Sequence, residues 1–162
     1  MTPAELLSPL LAGEAAGWHG LPPLAGDAFD ALLGPPASVE LLRLGFYPAE
    51  RRLFARAEGD VAIWSRDGEA VMVEVATALP ATALDALEKP CAVLSQEIDV
   101  EGGYAHEHLY CARGLVATVF EPFDGGAKRV IRLRGIGPVA DAARFGPALY
   151  KALDDQVKWG TG

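Results

Sequence analysis

The segment YAHEHLYC, residues 104–111, holds the residue types best suited to chemistry in this sequence. If it forms a strand, His106 and His108 lie on one face, close enough to share a metal ion. Glu107 and Cys111 would then fall on the opposite face, so a third ligand must come from another strand, and no closely spaced cysteine or histidine pair offers one. We therefore expect no metal site. With Tyr104, the histidines could instead serve acid–base chemistry on a bound ligand, because imidazole titrates near neutral pH.

The motifs of common cofactor-dependent enzymes are missing. The sequence has no G-x-S-x-G nucleophile elbow, no Walker phosphate loop, no H-E-x-x-H zinc motif and no dinucleotide-binding fingerprint. The stretch GLPPLAG, residues 20–26, lacks the lysine and the glycine spacing of a phosphate loop. These absences favour a binding protein over an enzyme without excluding catalysis, and we expect no cofactor.

Composition and charge disfavour some partners. The 162 residues are 51% hydrophobic, and 14 Lys and Arg stand against 22 Asp and Glu, a formal net charge of −8. That charge disfavours nucleic acid and anionic membrane surfaces. The N-terminus lacks the basic segment of a signal peptide and the long apolar run of a membrane span, which predicts a cytoplasmic protein. Cys91 and Cys111 are expected to be free thiols, because a chain with this apolar content does not need a disulfide.

Helix and strand signals alternate twice along the chain. A first helix is predicted from Thr2 to about Ala15, and a short second helix ends at Gly34 before two prolines. Apolar runs between residues 39 and 76, separated by the turn signals EGD and RDG, predict an antiparallel meander. A short helix in residues 80–89 then leads into four more strands up to about residue 136. A last helix is predicted at about residues 138–158.

The frame D-A-L-x-x-P-x-A occurs twice, in FDALLGPPA at residues 29–37 and in LDALEKPCA at residues 84–92, and the same order of strands follows both. We therefore predict internal repeats at about residues 24–80 and 81–136 within a single compact domain of residues 1–162. The predicted fold class is α+β. Two tandem units, each a helix plus a four-stranded antiparallel meander, would form one sheet with helices on one face, and the C-terminal helix would lie on that same face.

Residues of the first unit also carry a family resemblance: Leu32, Leu33, Gly34 and Pro36 at the helix end, Phe46 and Tyr47 in the early strands, and the segment RDGEAVMVEV. This pattern resembles the half-repeat of the β-lactamase inhibitor protein family and the related outer-membrane assembly lipoprotein domains. In the inhibitor family, two such units lie side by side and form a concave sheet surface that grips a partner. The resemblance implies that fold for about residues 24–136. It transfers no functional residue, because no partner-contacting motif of the family is recognisable.

Strand parity divides the predicted sheet into two faces. An aliphatic face would pack under the helices and hold Leu53, Val61, Ile63, Val71, Val73, Val75, Leu109, Cys111 and Val119. The other face would remain partly open, because a few short helices can cover only one face of the sheet. Aromatic side chains among Arg and His would give it the composition of a recognition surface. We predict binding residues there: Arg52, Phe54, Arg56, Trp64, Arg66, His106, His108, Tyr110 and Phe120.

This face predicts a cytoplasmic protein-binding or inhibitory module of an immunity or self-protection type. Its partner would be another protein, and its acidic charge would attract a basic one. The alternative is a small-ligand-binding resistance protein or cofactor-free enzyme with a pocket near His106 and His108. A broad open surface would favour the first hypothesis, whereas a cavity of several hundred cubic ångströms would favour the second.

Overall fold

The computed structural model describes residues 5, 29–44, 47–110 and 113–136. The helix predicted from Thr2 to Ala15 and the one predicted at residues 138–158 lie outside these residues, apart from Glu5. Within them, no helix is long and apolar enough to cross a membrane. Helix α1 spans Asp30–Leu33, and short 3-10 helices cover Ala81–Leu84 and Asp99–Glu101. The strands are β1 Ser38–Leu44, β2 Tyr47–Phe54, β3 Val61–Arg66, β4 Glu69–Pro80, β5 Ala92–Ile98, β6 Gly103–Tyr110, β7 Leu115–Pro122 and β8 Arg129–Ile136.

The eight strands form a single antiparallel sheet in the order β1-β2-β3-β4-β8-β7-β6-β5. Strands β1 to β4 pair consecutively, as do β5 to β8, and the two meanders join where β4 pairs with β8. Strands β1 and β5 are therefore the edge strands. The antiparallel sheet predicted from the sequence is confirmed. An internal repeat behind the two meanders stays a prediction.

The turn between β3 and β4 shows how local sequence sets this strand order. Asp67 and Gly68 have φ angles of 51° and 82°. A two-residue hairpin turn of type I′ has positive φ at both central residues, and its twist matches that of the flanking strands. Aspartate tolerates this conformation and glycine adopts it freely, so the RDG signal in the sequence marks a turn as predicted.

The predicted α+β class is wrong, because the described residues contain very little helix. Helix α1, Asp30–Leu33, has four residues. At the position of the helix predicted in residues 80–89 lies the 3-10 helix Ala81–Leu84, and the N–H of Asp85 donates to the carbonyl of Thr82 at 3.1 Å. A 3-10 helix, whose hydrogen bonds join residues i and i+3, rarely extends beyond a few residues. The described residues form an eight-stranded sheet rather than two helix-plus-meander units with a helical face.

One face of the sheet, called here the core face, packs against α1 and the 3-10 helix Ala81–Leu84. The central strands are buried on both faces, as the six buried residues at the start of β7 show, and such strands read as nearly continuous apolar runs. The core cluster draws on both meanders: Phe29, Leu33, Phe54, Val61, Ile63, Ala70, Val73, Val75, Leu84, Tyr110, Leu115, Ala117, Val119, Val130 and Leu133. Each meander therefore supplies part of one shared core.

The opposite face, called here the back face, holds a buried polar network at the seam between the meanders. Glu74 on β4 is paired in register with Arg134 on β8. Its carboxylate accepts hydrogen bonds from Trp64 Nε1 at 2.8 Å and from Arg134 Nε at 3.2 Å. All three side chains are buried, so both charges depend on this pairing.

The network continues across β8 towards β6. Arg132 on β8 lies 3.6 Å from the Glu74 carboxylate and 3.4 Å from the Glu107 carboxylate. The hydroxyl of Thr118, on β7 between them, donates to Glu107 at 2.6 Å. Polar side chains from five strands, β3, β4, β8, β7 and β6, are thus connected on one face.

Removing one charge from this network should destabilise the fold strongly. In Arg134→Met, Glu74 stays buried without its closer cation, and we expect the free energy of unfolding to fall by about 3–5 kcal/mol. The control, Glu40→Gln, breaks the ion pair with Arg51 from its more exposed side and should cost less than about 1 kcal/mol. Unfolding in guanidinium chloride measures both values. Equal losses would contradict the importance assigned to the buried network.

Candidate functional site

A groove lies on the core face, between residues 81–90, called here the wall, and strands β5, β6 and β7. Its volume is about 590 Å³. Wall and floor together line it with apolar and polar side chains: Ala81, Thr82, Leu84, Asp85, Leu87, Glu88, Lys89, Pro90, Val93, His106, His108, Tyr110, Val119, Glu121 and Lys128. Three of the predicted binding residues thus lie together in a concave site: His106, His108 and Tyr110, all on β6.

The wall is attached near both of its ends to the loops that flank β7. At its start, the N–H of Ala81 donates to the carbonyl of Lys128 at 3.2 Å. Near its end, Arg113 Nε donates to both oxygens of Glu88, at 2.8 and 2.7 Å. Burial acts to raise the pKa of Glu88, but hydrogen bonds from its own backbone and from Arg113 outweigh burial, so the pKa lies below its ordinary value. The carboxylate of Glu88 is therefore ionised and forms an ion pair with the guanidinium of Arg113.

Cys91 fixes the chain just beyond the wall. Its N–H donates to the carbonyl of Leu109 on β6 at 2.8 Å, and its sulfur is disulfide-bonded. Cys111 is the other cysteine of the sequence. The expectation of a free thiol at Cys91 is wrong, and a covalent link adds to the hydrogen bonds that hold the groove together.

His106 belongs to a chain of four polar side chains. Ser95 Oγ, on edge strand β5, is 2.7 Å from His106 Nδ1, and His106 Nε2 is 2.7 Å from Glu121 Oε2. Lys128 Nζ lies 3.1 Å from the same oxygen of Glu121. Hydrogen bonds with Lys128 and with His106 hold the pKa of Glu121 below its ordinary value, so this side chain is a carboxylate at neutral pH. The ring of Tyr104 stacks on that of His106 with centroids 6.1 Å apart.

His108 and Tyr110 are the uncharged polar groups of the floor. Burial lowers the pKa of His108 below its ordinary value of 6.5, and His106 and Lys128 act in the same direction. Burial, assisted by the charge of Glu88, raises the pKa of Tyr110 above its ordinary value of 10.0. Within the described ranges, neither the His108 ring nor the Tyr110 hydroxyl takes part in a hydrogen bond. Both can therefore donate to, or accept from, a molecule in the groove.

The predicted parity of β6 is inverted. His108 pairs with Ala117, a residue of the core cluster, so His106, His108 and Tyr110 face the core side rather than away from it. Leu109, predicted on the core side, lies on the back face. Because side chains alternate along a strand, an error of one position exchanges the two faces completely.

The aromatic residues predicted for an open face are buried. Phe54 is 0% exposed in the core, Trp64 is 1% exposed in the back-face network, and Phe120 is 5% exposed. Phe54 rather than Leu53 points into the core, since it pairs with Val61. The open aromatic face on which the prediction of a protein-binding module depended is therefore absent at these positions.

The predicted arginines lie apart from the groove. Arg52 is 2.7 Å from both Asp30 and Glu50. The guanidinium of Arg56 lies 5.8 Å from the ring centre of Phe54. Arg66 ends β3, and its side chain lies outside the described part of the molecule. The binding roles predicted for these residues stay predictions, but the structure does not bring them together with the histidines.

Sequence reasoning missed Ser95, Glu121 and Lys128. Ser95 meets His106 only through the register of the β5–β6 hairpin, which pairs these two residues. The turn signal EGG predicts the hairpin but not how many residues its turn contains, and that number sets the register. In the part of the chain described, no group of three or more His, Cys, Asp and Glu side chains could hold a metal ion.

No family model matches this sequence, and no curated protein matches it. Among solved structures, the chain is similar to a cysteine-rich secretory protein from Staphylococcus aureus subsp. aureus Mu50, with 12% identity, a TM-score of 0.46, and coverage of 74% of this chain and 46% of that one. It is also similar to an extracellular protein containing an SCP domain from Bacillus anthracis str. Ames, with 10% identity, a TM-score of 0.39, and coverage of 86% of this chain and 55% of that one. The chain spans about half the length of these proteins.

The predicted resemblance to the β-lactamase inhibitor fold is wrong, because the described residues form one eight-stranded sheet with very little helix instead of two helix-plus-meander units. Both TM-scores lie below 0.5, and the likeness says nothing about activity. Function has to be inferred from the groove itself.

His108 should make the stability of the protein depend on pH. Its pKa is lowered on folding, so the unfolded chain binds a proton more readily, and the free energy of unfolding falls as the pH drops below 6.5, until folded His108 is protonated too. His108→Gln should remove this loss. Urea unfolding of both proteins between about pH 7.5 and about pH 5 measures the effect. If the two curves of stability against pH run parallel, the uncharged state of buried His108 is contradicted.

Proposed function

We propose that the protein binds a small, uncharged ligand in the groove beneath the wall. The observation that carries this proposal is a concave site of about 590 Å³ in which three polar groups of β6 converge. Ligand sites in proteins typically measure about 300–1,000 Å³ and combine apolar walls with a few polar groups. This groove meets both conditions.

Two ion pairs at the groove support an uncharged ligand, and Asp85 and Lys89 add one charge of each sign to its lining. Glu88 is paired with Arg113, and Glu121 is paired with Lys128. His108 is uncharged at neutral pH because burial lowers its pKa. An ion entering the groove would compete with these internal pairs, whereas a neutral group would not.

The composition of the lining supports a ligand with an apolar body and a hydrogen-bonding group. Leu84, Leu87 and Val119 give one part of the groove an aliphatic surface. His108 and Tyr110 lie on the floor with polar atoms that are available for hydrogen bonds. A carbonyl or ether oxygen could accept from the Tyr110 hydroxyl, which stays protonated because burial raises its pKa.

Protein binding remains the alternative, but it has lost its main support. It was inferred from an open aromatic face, and Phe54 and Trp64 are buried.

The disulfide at Cys91 indicates the compartment in which the protein acts, because such bonds persist in oxidising compartments and are rare in the cytoplasm. We therefore propose that the protein acts in an oxidising compartment; the cytoplasmic location expected from the sequence remains untested.

A filling substitution in the groove should block ligand binding. Val93 on edge strand β5 lines the groove and is 46% exposed, so Val93→Trp can fill part of the space without entering the core. Val39 on the other edge strand, β1, is 48% exposed and gives a matched control, Val39→Trp. The probe is N-phenyl-1-naphthylamine, an uncharged aromatic amine whose fluorescence rises in apolar sites.

We expect the wild type and Val39→Trp to bind the probe with equal affinity and a 1:1 stoichiometry. Val93→Trp should weaken binding at least about tenfold, the effect of losing about 1.4 kcal/mol of contacts. Fluorescence titration with matched unfolding curves measures this difference. If the wild type does not bind, or if both tryptophan variants bind equally well, the proposal of a ligand site in the groove is wrong.

A further inference from the structure

The hydrogen-bonded chain Ser95–His106–Glu121 has a geometry that the sheet itself does not require. Ser95 lies on an edge strand and is exposed to solvent, so its hydroxyl could be satisfied by water. It lies instead 2.7 Å from His106 Nδ1, and the other ring nitrogen lies 2.7 Å from Glu121. A hydroxyl beside an imidazole whose second nitrogen is held by a carboxylate is the arrangement of an activated nucleophile.

The direction of these hydrogen bonds follows from the charge of Glu121. Lys128, 3.1 Å away, and His106 both lower the pKa of Glu121, so its carboxylate accepts hydrogen bonds and donates none. His106 Nε2 must therefore carry the proton that it shares with Glu121. In neutral His106, Nδ1 is then the acceptor, and the hydroxyl of Ser95 donates to it.

We propose that Ser95 is the nucleophile of a hydrolase that acts on uncharged carboxylic esters, with His106 as the general base and Glu121 as the residue that positions it. This inference rests on the proposed function, because the apolar part of the ester would occupy the groove that His106 and Glu121 line. Ser95 is not itself part of the lining; it lies directly opposite His106, which is, in the β5–β6 register. The reacting carbonyl would thus lie at the margin of the groove, where water has access.

The reaction has two stages. In the first, Ser95 Oγ forms a bond to the carbonyl carbon, and its proton passes to His106 Nδ1. The tetrahedral intermediate then breaks its bond to the alkoxy oxygen, which takes that proton and leaves as an alcohol. In the second stage, water attacks the acyl group on Ser95, giving a proton to His106, and Ser95 Oγ leaves and recovers it, so that a carboxylic acid is released.

The carbonyl oxygen gains negative charge in both stages and needs a donor. His108 lies two residues along β6 from His106 and faces the same groove. Its ring is uncharged at neutral pH, so one of its nitrogens carries a proton and can donate a hydrogen bond to that oxygen. Donors directed at a developing oxyanion are among the largest contributors to catalysis of acyl transfer.

Covalent labelling tests the nucleophile. A fluorophosphonate reacts with an activated serine by forming an oxygen–phosphorus bond and releasing fluoride. We expect the wild-type protein to gain the mass of one adduct, and peptide mapping to place it on Ser95. Ser38→Ala, on the other edge strand, should be labelled like the wild type, whereas Ser95→Ala should gain no adduct.

Hydrolysis of p-nitrophenyl butyrate, an uncharged ester, tests the activity. Ser95→Ala should reduce the rate to that of the buffer, and His106→Gln should reduce it by about 10²–10⁴-fold. Glu121→Gln should lower kcat while leaving KM and the unfolding curve unchanged, since Glu121 acts through the orientation of His106 rather than on the substrate. A fall in stability without this kinetic effect would show that Glu121 is structural.

The outcomes separate this inference from the proposed function. An unlabelled Ser95, or equal ester hydrolysis by the wild type and Ser95→Ala, would overturn the hydrolase. Binding of N-phenyl-1-naphthylamine by Ser95→Ala at the wild-type level would, in that case, leave the ligand site standing. If Val93→Trp neither weakens probe binding nor slows hydrolysis, the groove is not the substrate site and both proposals fail.

Discussion

The pairing of β4 with β8 is the constraint on which the rest of the structure depends. It joins the two meanders into one sheet, and at its centre Glu74 pairs with Arg134 on the back face. The neighbouring pair, Val75 and Leu133, is fully buried on the core face. A register slip of one residue would turn one of these two apolar side chains out of the core and separate the buried charges of Glu74 and Arg134. Either change would destabilise the fold strongly. The seam therefore specifies the register as well as stabilising the sheet.

The groove also depends on the pairing of β4 with β8. β4 has 12 residues and continues beyond its pairing with β3, where Leu79 still pairs with Val130 of β8 after a shift in register. This extension delivers Ala81 to the carbonyl of Lys128, so the wall begins over the core face. The side chain of Lys128 then reaches Glu121, and through it His106. Strand pairing thus places Ser95, His106 and Glu121 side by side, whereas Lys128 reaches them from the loop just before β8.

The sequence could predict the strands but not their faces. Apolar runs and turn residues such as Asp67 and Gly68 indicated the antiparallel sheet, because hairpin turns depend on local conformation. The face of the sheet on which a side chain lies depends on strand register and on bulges. In β8, Val130 and Leu133 both reach the core although they are three residues apart, since shifts in the pairing of β7 and of β4 leave an extra residue between them. An alternation pattern read along one strand does not reveal such an insertion.

The site itself was only partly predictable. Trp64 among arginines looked like part of a recognition surface, yet the same composition serves a buried network when a carboxylate such as Glu74 satisfies the indole N–H. His106 and His108 were found because their residue type is informative. Their partners Ser95 and Glu121 are common residues in ordinary strands, and only the three-dimensional register distinguishes them from others.

The attachment of the wall near both ends has a consequence for the thermodynamics of binding. Its backbone loses conformational freedom when the chain folds, so a ligand does not bear the entropic cost of ordering residues 81–90. The groove is pre-organised, and association should proceed with little change in heat capacity beyond that of the apolar surface covered. Because Cys91 is part of this attachment, a reducing environment would return some of that freedom to the wall and convert a rigid receptor into one that must order itself around each ligand.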